Sequence, residues 1–279
     1  MTLLYRLLET IPLEWLQYDF MKNALLATLV VTPLFALLGT MAVNNKMAFF
    51  SDALGHSAFT GIALGVLLGL REPVLSMLAF GIFLGLAISK VNSFHTASTD
   101  TVISVFSSAS VALGIVILSK EGGFAQYSSY LIGDILVVSP SEILLLFFVL
   151  VAAYILWAFL YNRLLLVSLN PSLASTRNIH CQAMENIFVV MVAVAVMLSV
   201  KWIGILTINS LLILPAAAAR NIAKNSRQYH FLTLLIGVCS GLIGLILSYY
   251  WDASAGASMV LTSACCFFIT FLVGHRMRS

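Results

Sequence analysis

The chain has 279 residues, 61% of them hydrophobic and 9% charged, with a formal net charge of +3. Soluble domains carry about a quarter charged residues, so this composition excludes a soluble globular protein. Apolar runs of about 20 residues, the length that crosses a bilayer, recur from end to end and predict an all-α polytopic transmembrane helical bundle of eight to nine spans.

Residues 1–21 stand apart from the rest. Leu3, Leu4, Leu7, Leu8 and Ile11 recur at helical spacing, and Trp15 and Tyr18 follow; the pattern suits a helix lying in the membrane interface. Arg6, Glu9 and Glu14 interrupt what would otherwise be the apolar stretch of a signal peptide. Spans then read at 22–43, 47–70, 73–90, 101–119, 140–161, 184–200, 202–219, 229–250 and 254–273. Residues 22–273 thus form one transmembrane domain, and 274–279 a short tail. Pro33 and Pro215 fall inside spans and predict kinks.

Two connections are long. The segment 120–139 is too polar for a span and reads as an outer loop with a short interfacial or re-entrant helix. In the loop 162–183, Asn170 followed by Pro171 predicts a helix start, and Asn178 a left-handed end. Such a short helix is either a surface connector or a docking element.

The distribution of charge sets an orientation. Lys46, Lys90, Arg163, Arg177, Arg220, Lys224, Arg227, Arg276 and Arg278 fall on one face, and Arg71, Lys120 and Lys201 on the other. The positive-inside rule makes the first face cytoplasmic, with the C-terminus inside and the N-terminus outside. One long span over 184–219 would carry Arg220, Lys224 and Arg227 to the outer face, so two spans meeting at "KWIG" are expected. Cys239, Cys265 and Cys266 lie in apolar spans as small hydrophobes; neither they nor Cys181 are given a metal or disulfide role.

The second span carries the chemistry. In "SDALGHSAFTGIALG", residues 51–65, Asp52 and His56 are four apart and Thr60 follows by another turn. Residues at i and i+4 share one helix face, about 6 Å apart along the axis. Beside them runs a stripe of small residues, Ala53, Ser57, Gly61, Gly65 and Gly69, which predicts close approach of another helix. Two readings stay open. Asp52 could cap the helix start and His56 bond a neighbouring carbonyl, or the pair could mark a pathway, as ionisable groups inside spans tend to do. A carboxylate and an imidazole suit Zn²⁺, Mn²⁺ or Fe²⁺. Two ligands are too few for a tight site, whereas a two-fold dimer would bring four, enough for tetrahedral zinc. No phosphate-binding Gly-x-x-x-x-Gly-Lys-[Ser/Thr] loop occurs, so ATP hydrolysis is not expected of this chain.

The stretch "MAFFSDALGHSAFTGIALG" resembles the signature of the permease subunits of zinc-, manganese- and iron-importing ABC transporters. "STDTVISVFSSASVALGIVILS", "SSYLIGDILVVSPSEI", "LNPSLASTRNI" and "WIGILTINSLLILPAAAARNIA" resemble further blocks in the same order. The resemblance implies a homodimeric permease in the plasma (inner) membrane of a prokaryote, which is not itself an enzyme. It implies cytoplasmic ATPase subunits as partners, an extracytoplasmic metal-binding protein, surrounding lipid and no nucleic acid. Asp52 and His56 of both copies would hold a transported divalent metal, with no permanently bound cofactor.

Thr60, Asp100, Thr207 and Asn209 are further pathway candidates. Asn170, Pro171, Ser172, Leu173 and Arg177 would dock the ATPase. This chain departs from the family pattern in several places: "STD" leaves only Asp100 of an acidic pair, Asn170-Pro171-Ser172 replaces Asp-Pro-Glu, Asn178 stands for a common glycine, and "NNK" is thinned of basic residues. The rival expectations are an ion-coupled secondary transporter or channel without ATPase, and an intramembrane metal enzyme using the same pair.

Overall fold

The structure is a computed structural model that describes residue 5 and residues 14–70, 73–94, 97–121 and 133–278. Among the described residues it is helical, without strands. The α-helices are α1 (Asp19–Asn44), α2 (Phe50–Leu67), α3 (Val74–Asn92), α4 (Thr99–Glu121), α5 (Pro140–Leu169), α6 (Pro171–Thr176), α7 (Cys181–Ile203), α8 (Ile205–Ile222), α9 (Ser226–Trp251) and α10 (Ala255–Arg278). Two 3-10 turns, Glu14–Gln17 and Ile135–Val137, also lie among the described residues.

Each of the nine predicted spans coincides with a long helix. Several helices overrun the predicted ends, as α5 does by continuing through Asn162 and Arg163 to Leu169, just before Pro171, whereas α2 stops short of its predicted 47–70 at both ends. Among the described residues eight helices are long and apolar enough to cross a membrane. The ninth, α2, falls outside that set because Asp52, His56 and its small residues dilute its hydropathy. The expected break in 184–219 is present. α7 and α8 meet at Gly204, whose φ of 80° and ψ of 154° form a combination essentially confined to glycine. Both α1 and α8 run on through their prolines.

The interfacial helix expected in residues 1–21 and the loop helix expected in 120–139 fall largely outside the described residues. What is described near them is local. Trp15 and Leu16 are buried and Tyr18 is exposed. The Asp134 carboxylate caps the turn Ile135–Val137 by accepting from the Leu136 N–H at 2.9 Å.

The chain divides into two compact units. One comprises Met1–Thr40, Asp134–Ala152 and Ser210–Ser279; the other comprises Met41–Gly133 and Ala153–Asn209.

In the second unit α2 packs on α3, α4 and α7, and glycines set the spacing. A Cβ on Gly61 would lie 2.5 Å from Met77 Cα of α3, closer than any real contact, so only glycine permits this approach. Gly114 of α4 sits against Thr60 in the same way, and Gly81 and Gly85 of α3 receive Met197 and Val189 of α7. The small-residue stripe of α2 packs on α3 at Gly61 and Gly65, as its spacing predicts, whereas Gly69 lies past the end of α2 at φ 69° with open space around it. Thirteen of the eighteen α2 residues are buried, which makes it an interior helix despite its low hydropathy.

In the first unit α9 and α10 form the principal pair. The Ser263 hydroxyl donates to Ser240 Oγ at 2.9 Å, and Gly244 lets Met259 of α10 approach. Gly241 faces Thr28 and Thr32 of α1, whose hydroxyls donate to the carbonyls of Ala24 and Thr28 at 2.7 and 2.8 Å. Buried Lys22 is paired with Asp19 at 3.0 Å.

Candidate functional site

The site lies in the second unit and begins at a tight turn. After α1 the chain reverses through Asn45 and Lys46, with Lys46 left-handed at φ 58° and the Met47 N–H bonded to the Ala42 carbonyl at 2.9 Å. This turn sets where α2 starts, and so the height of Asp52 in its first turn. The adjacent Ser51 hydroxyl donates to Asn209 Oδ1 at 2.7 Å. That bond ties the start of α2 to α8 and fixes its rotation.

That rotation points Asp52 and His56 outward from the unit. Their side chains are 38% and 46% exposed, and His56 Nε2 lies 3.7 Å from Asp52 Oδ1. At 3.7 Å the two do not form a hydrogen bond. Nitrogen and oxygen ligands of one tetrahedral zinc, each about 2.0–2.2 Å from the ion, lie about 3.4 Å apart. The donors are therefore spaced within a few tenths of an ångström of what a shared ion requires. The capping alternative does not describe Asp52, since α2 starts at Phe50 with no side-chain cap.

The other predicted residues divide sharply. Thr60, expected to continue the Asp52–His56 face toward a pathway, is fully buried. Its hydroxyl donates to the Ser110 carbonyl of α4, and Ser110 Oγ donates back to Thr60 Oγ1 at 3.2 Å. Here the close α2–α4 crossing at Gly114 covers the third turn of that face. Thr207 is buried at 3% exposure. Asn209 is spent on Ser51 rather than on open space. Asp100 is exposed in the first turn of α4, after Ser98, whose Oγ accepts from the Thr101 N–H at 3.2 Å.

A recess of about 150 Å³ opens between α2 and α4, lined by Phe49, Asp52, Ala53, Ile103, Ser104, Ser107 and Ser108. The three serines were not among the residues expected from the sequence. The signal was present in the spacing: Ser104 and Ser108 follow Asp100 at intervals of four, on one helix face.

The short helix that follows α5 forms as its sequence predicts. Asn170 Oδ1 accepts from the Leu173 N–H at 3.0 Å, Pro171 occupies the first turn, and Asn178 closes the helix at φ 55°. The Ile179 N–H returns to the Ala174 carbonyl at 3.1 Å, and only Ala174 of α6 is buried. Pro171, Ser172, Leu173 and Arg177 are exposed.

A recess of about 490 Å³ adjoins α6, with Lys46, Asn92, Pro171, Gln182 and Glu185 in its wall. Beside it the Gln182 amide donates to Ser89 Oγ at 2.9 Å and to Asn186 Oδ1 at 3.1 Å, and Ser89 Oγ donates to Asn186 Oδ1 at 2.9 Å. These bonds clamp α3 to α7. All four cysteines are free thiols. Among the described residues no group of three or more His, Cys, Asp or Glu side chains could hold a metal.

Comparison with known proteins gives a consistent result. The family model described as "ABC 3 transport family" matches residues 17–274. The high-affinity zinc uptake system membrane protein ZnuB of Haemophilus influenzae is 30% identical over 261 residues, covering 93% of this chain and 100% of that protein. The manganese transport system membrane protein MntC of Listeria monocytogenes is 27% identical, covering 92% of this chain and 91% of its own length. Among solved structures, PsaBC from Streptococcus pneumoniae in complex with Fab superposes with a TM-score of 0.78 at 26% identity, covering 97% of this chain and 95% of that one.

Proposed function

The chain belongs to the ABC 3 transport family, and from that premise we propose that it is the permease subunit of an ATP-driven importer of divalent transition-metal cations. The substrate is Zn²⁺ or Mn²⁺, with Fe²⁺ in the same chemical class. The observation that carries this reading is the Asp52–His56 pair: an oxygen and a nitrogen donor 3.7 Å apart on one exposed face, beside a recess with polar walls.

The pair acts as a transient ligand set. Each chain offers two donors, and a second copy related by a two-fold axis offers two more, so four close a tetrahedral site. Because the set is split between copies, a relative movement of the helices pulls it apart and releases the ion. A pathway of this kind needs binding firm enough to admit the ion and weak enough to let it go.

Energy comes from outside the chain. Separate ATPase subunits dock on the cytoplasmic side at α6, where Pro171, Ser172, Leu173 and Arg177 present an exposed surface held by the Asn170 cap. An extracytoplasmic metal-binding protein delivers the cation to the opposite face. The N-terminus lies outside and the C-terminus in the cytoplasm of a prokaryotic cell, with residues 22–273 as the permease domain in the inner membrane.

Uptake of radiolabelled metal tests this function. Asp52→Ala and His56→Ala each abolish accumulation while the permease still assembles with its ATPase. Normal accumulation in both variants rejects the reading.

A further inference from the structure

The α4 wall of the recess carries polar groups that helix packing leaves outside. Ser104 and Ser108 are exposed and Ser107 is half-buried; all three line the recess that Asp52 enters from α2. On a helix of 3.6 residues per turn, the three occupy one arc of about 100°. The neighbouring arc holds Val105 and Val116, 61% and 56% exposed, together with exposed Ala112, an apolar surface suited to lipid. The buried arc holds Ser110, whose hydroxyl is used in the crossing with Thr60. Over Ser104–Ser108 the helix therefore turns its hydroxyls to the carboxylate; further along the same arc lie Val111 and exposed Ile115, so the hydroxyl surface is confined to this stretch beside Asp52.

We propose that Ser104, Ser107 and Ser108 form a hydroxyl wall that hydrates the cation path opposite Asp52, so that the ion passes the Asp52–His56 pair with part of its water shell held by α4. The proposal rests on the reading of Asp52 and His56 as transport ligands. Before the second copy's pair closes on it, and again once the pairs part, a dication held by one chain's two donors retains water, and that metal-polarised water donates strongly and needs acceptors. A serine oxygen accepts from such a water, and its O–H donates onward to the next. The recess has room for several waters. Hydroxyls are neutral, so they support the hydrated ion without trapping it, whereas a wall of carboxylates would hold it and slow release.

The test uses the full permease assembled with its ATPase in proteoliposomes. In a cysteine-free background, S104C and S108C react with a charged methanethiosulfonate reagent about tenfold faster than V105C and V116C, because a thiol in apolar surroundings stays protonated and unreactive. The triple variant S104A/S107A/S108A lowers the maximal uptake rate about tenfold, the equivalent of one net hydrogen bond lost at the barrier. Its apparent KM stays near that of the parent, and Ser→Thr replacements at the same positions restore the rate by restoring the hydroxyls.

Labelling of S104C and S108C no faster than that of V105C overturns the proposal. So does parental uptake in the triple alanine variant, since a wet surface that transport does not need is no wall of the path. Should the triple variant fail to assemble, the single variants S104A and S108A carry the uptake readout: each lowers the maximal rate severalfold, and parental uptake in both overturns the proposal. Asp52→Ala separates this from the underlying reading: uptake lost there but intact in the triple variant rejects the wall alone, and uptake intact in Asp52→Ala rejects the ligand pair itself.

Discussion

The α9–α10 pair and the α2–α4 pair are built alike and finished differently. Both cross at small residues: Gly244 receives Met259 in one, and Gly114 receives Thr60 in the other. In α9–α10 the polar groups close on each other inside, Ser263 on Ser240, while Leu261, Phe268 and Leu272 face outward. In α2–α4 the inner bonds are also satisfied, Thr60 with Ser110, yet Asp52, His56, Ser104 and Ser108 remain on the surface. Nothing in the packing of α2 and α4 calls for those four residues. A carboxylate facing lipid costs several kcal/mol, so their place on the surface is understood if water, an ion or a second copy of the chain meets them there.

The sharpest break in this comparison is His56→Leu. Replacing an exposed polar group by an apolar one leaves or raises thermal stability in detergent and lowers uptake by more than about 100-fold, the cost of misplacing or losing a ligand at the reacting centre. A parallel loss of stability and transport would mean that His56 is structural. Asp52→Glu keeps the charge but shifts the oxygen by a methylene; uptake falls about tenfold rather than vanishing, read from initial rates.

Smaller effects separate packing from pathway. Gly61→Ala forces a Cβ against Met77 Cα and destabilises by about 1–3 kcal/mol, seen as a lowered melting temperature. Gly237→Ala meets Ala36 and Pro215 at 3.6–3.7 Å, ordinary contact, and leaves that temperature unchanged. Asn170→Ala removes the α6 cap at a cost of about 1 kcal/mol, and lowers ATPase stimulation without altering metal binding. Ser263→Ala is the mildest, about 0.6 kcal/mol for one interhelical bond, with uptake unaffected.

The long helices other than α2 were readable from apolar length, and the break at Gly204 was expected from keeping Arg220, Lys224 and Arg227 on the same face as the other basic residues. Asn170, Pro171 and Asn178 announced α6 because caps and prolines act locally. Thr60 misled because periodicity identifies a face but not what covers it; the cover is α4, fifty residues away at Ser110. Thr207 and Asn209 share that difficulty, since one is buried and the other is bonded to Ser51. The serines of α4 escaped notice because a hydroxyl is common in membrane helices, and its meaning depends on which sector it occupies and what stands opposite.

The most direct measurement is an anomalous difference map, collected at the zinc edge, of the permease with its ATPase and Zn²⁺. A peak about 2.0–2.2 Å from both Asp52 Oδ1 and His56 Nε2 is the predicted result. A peak elsewhere within the helices, with both side chains beyond ligand distance, contradicts the assignment.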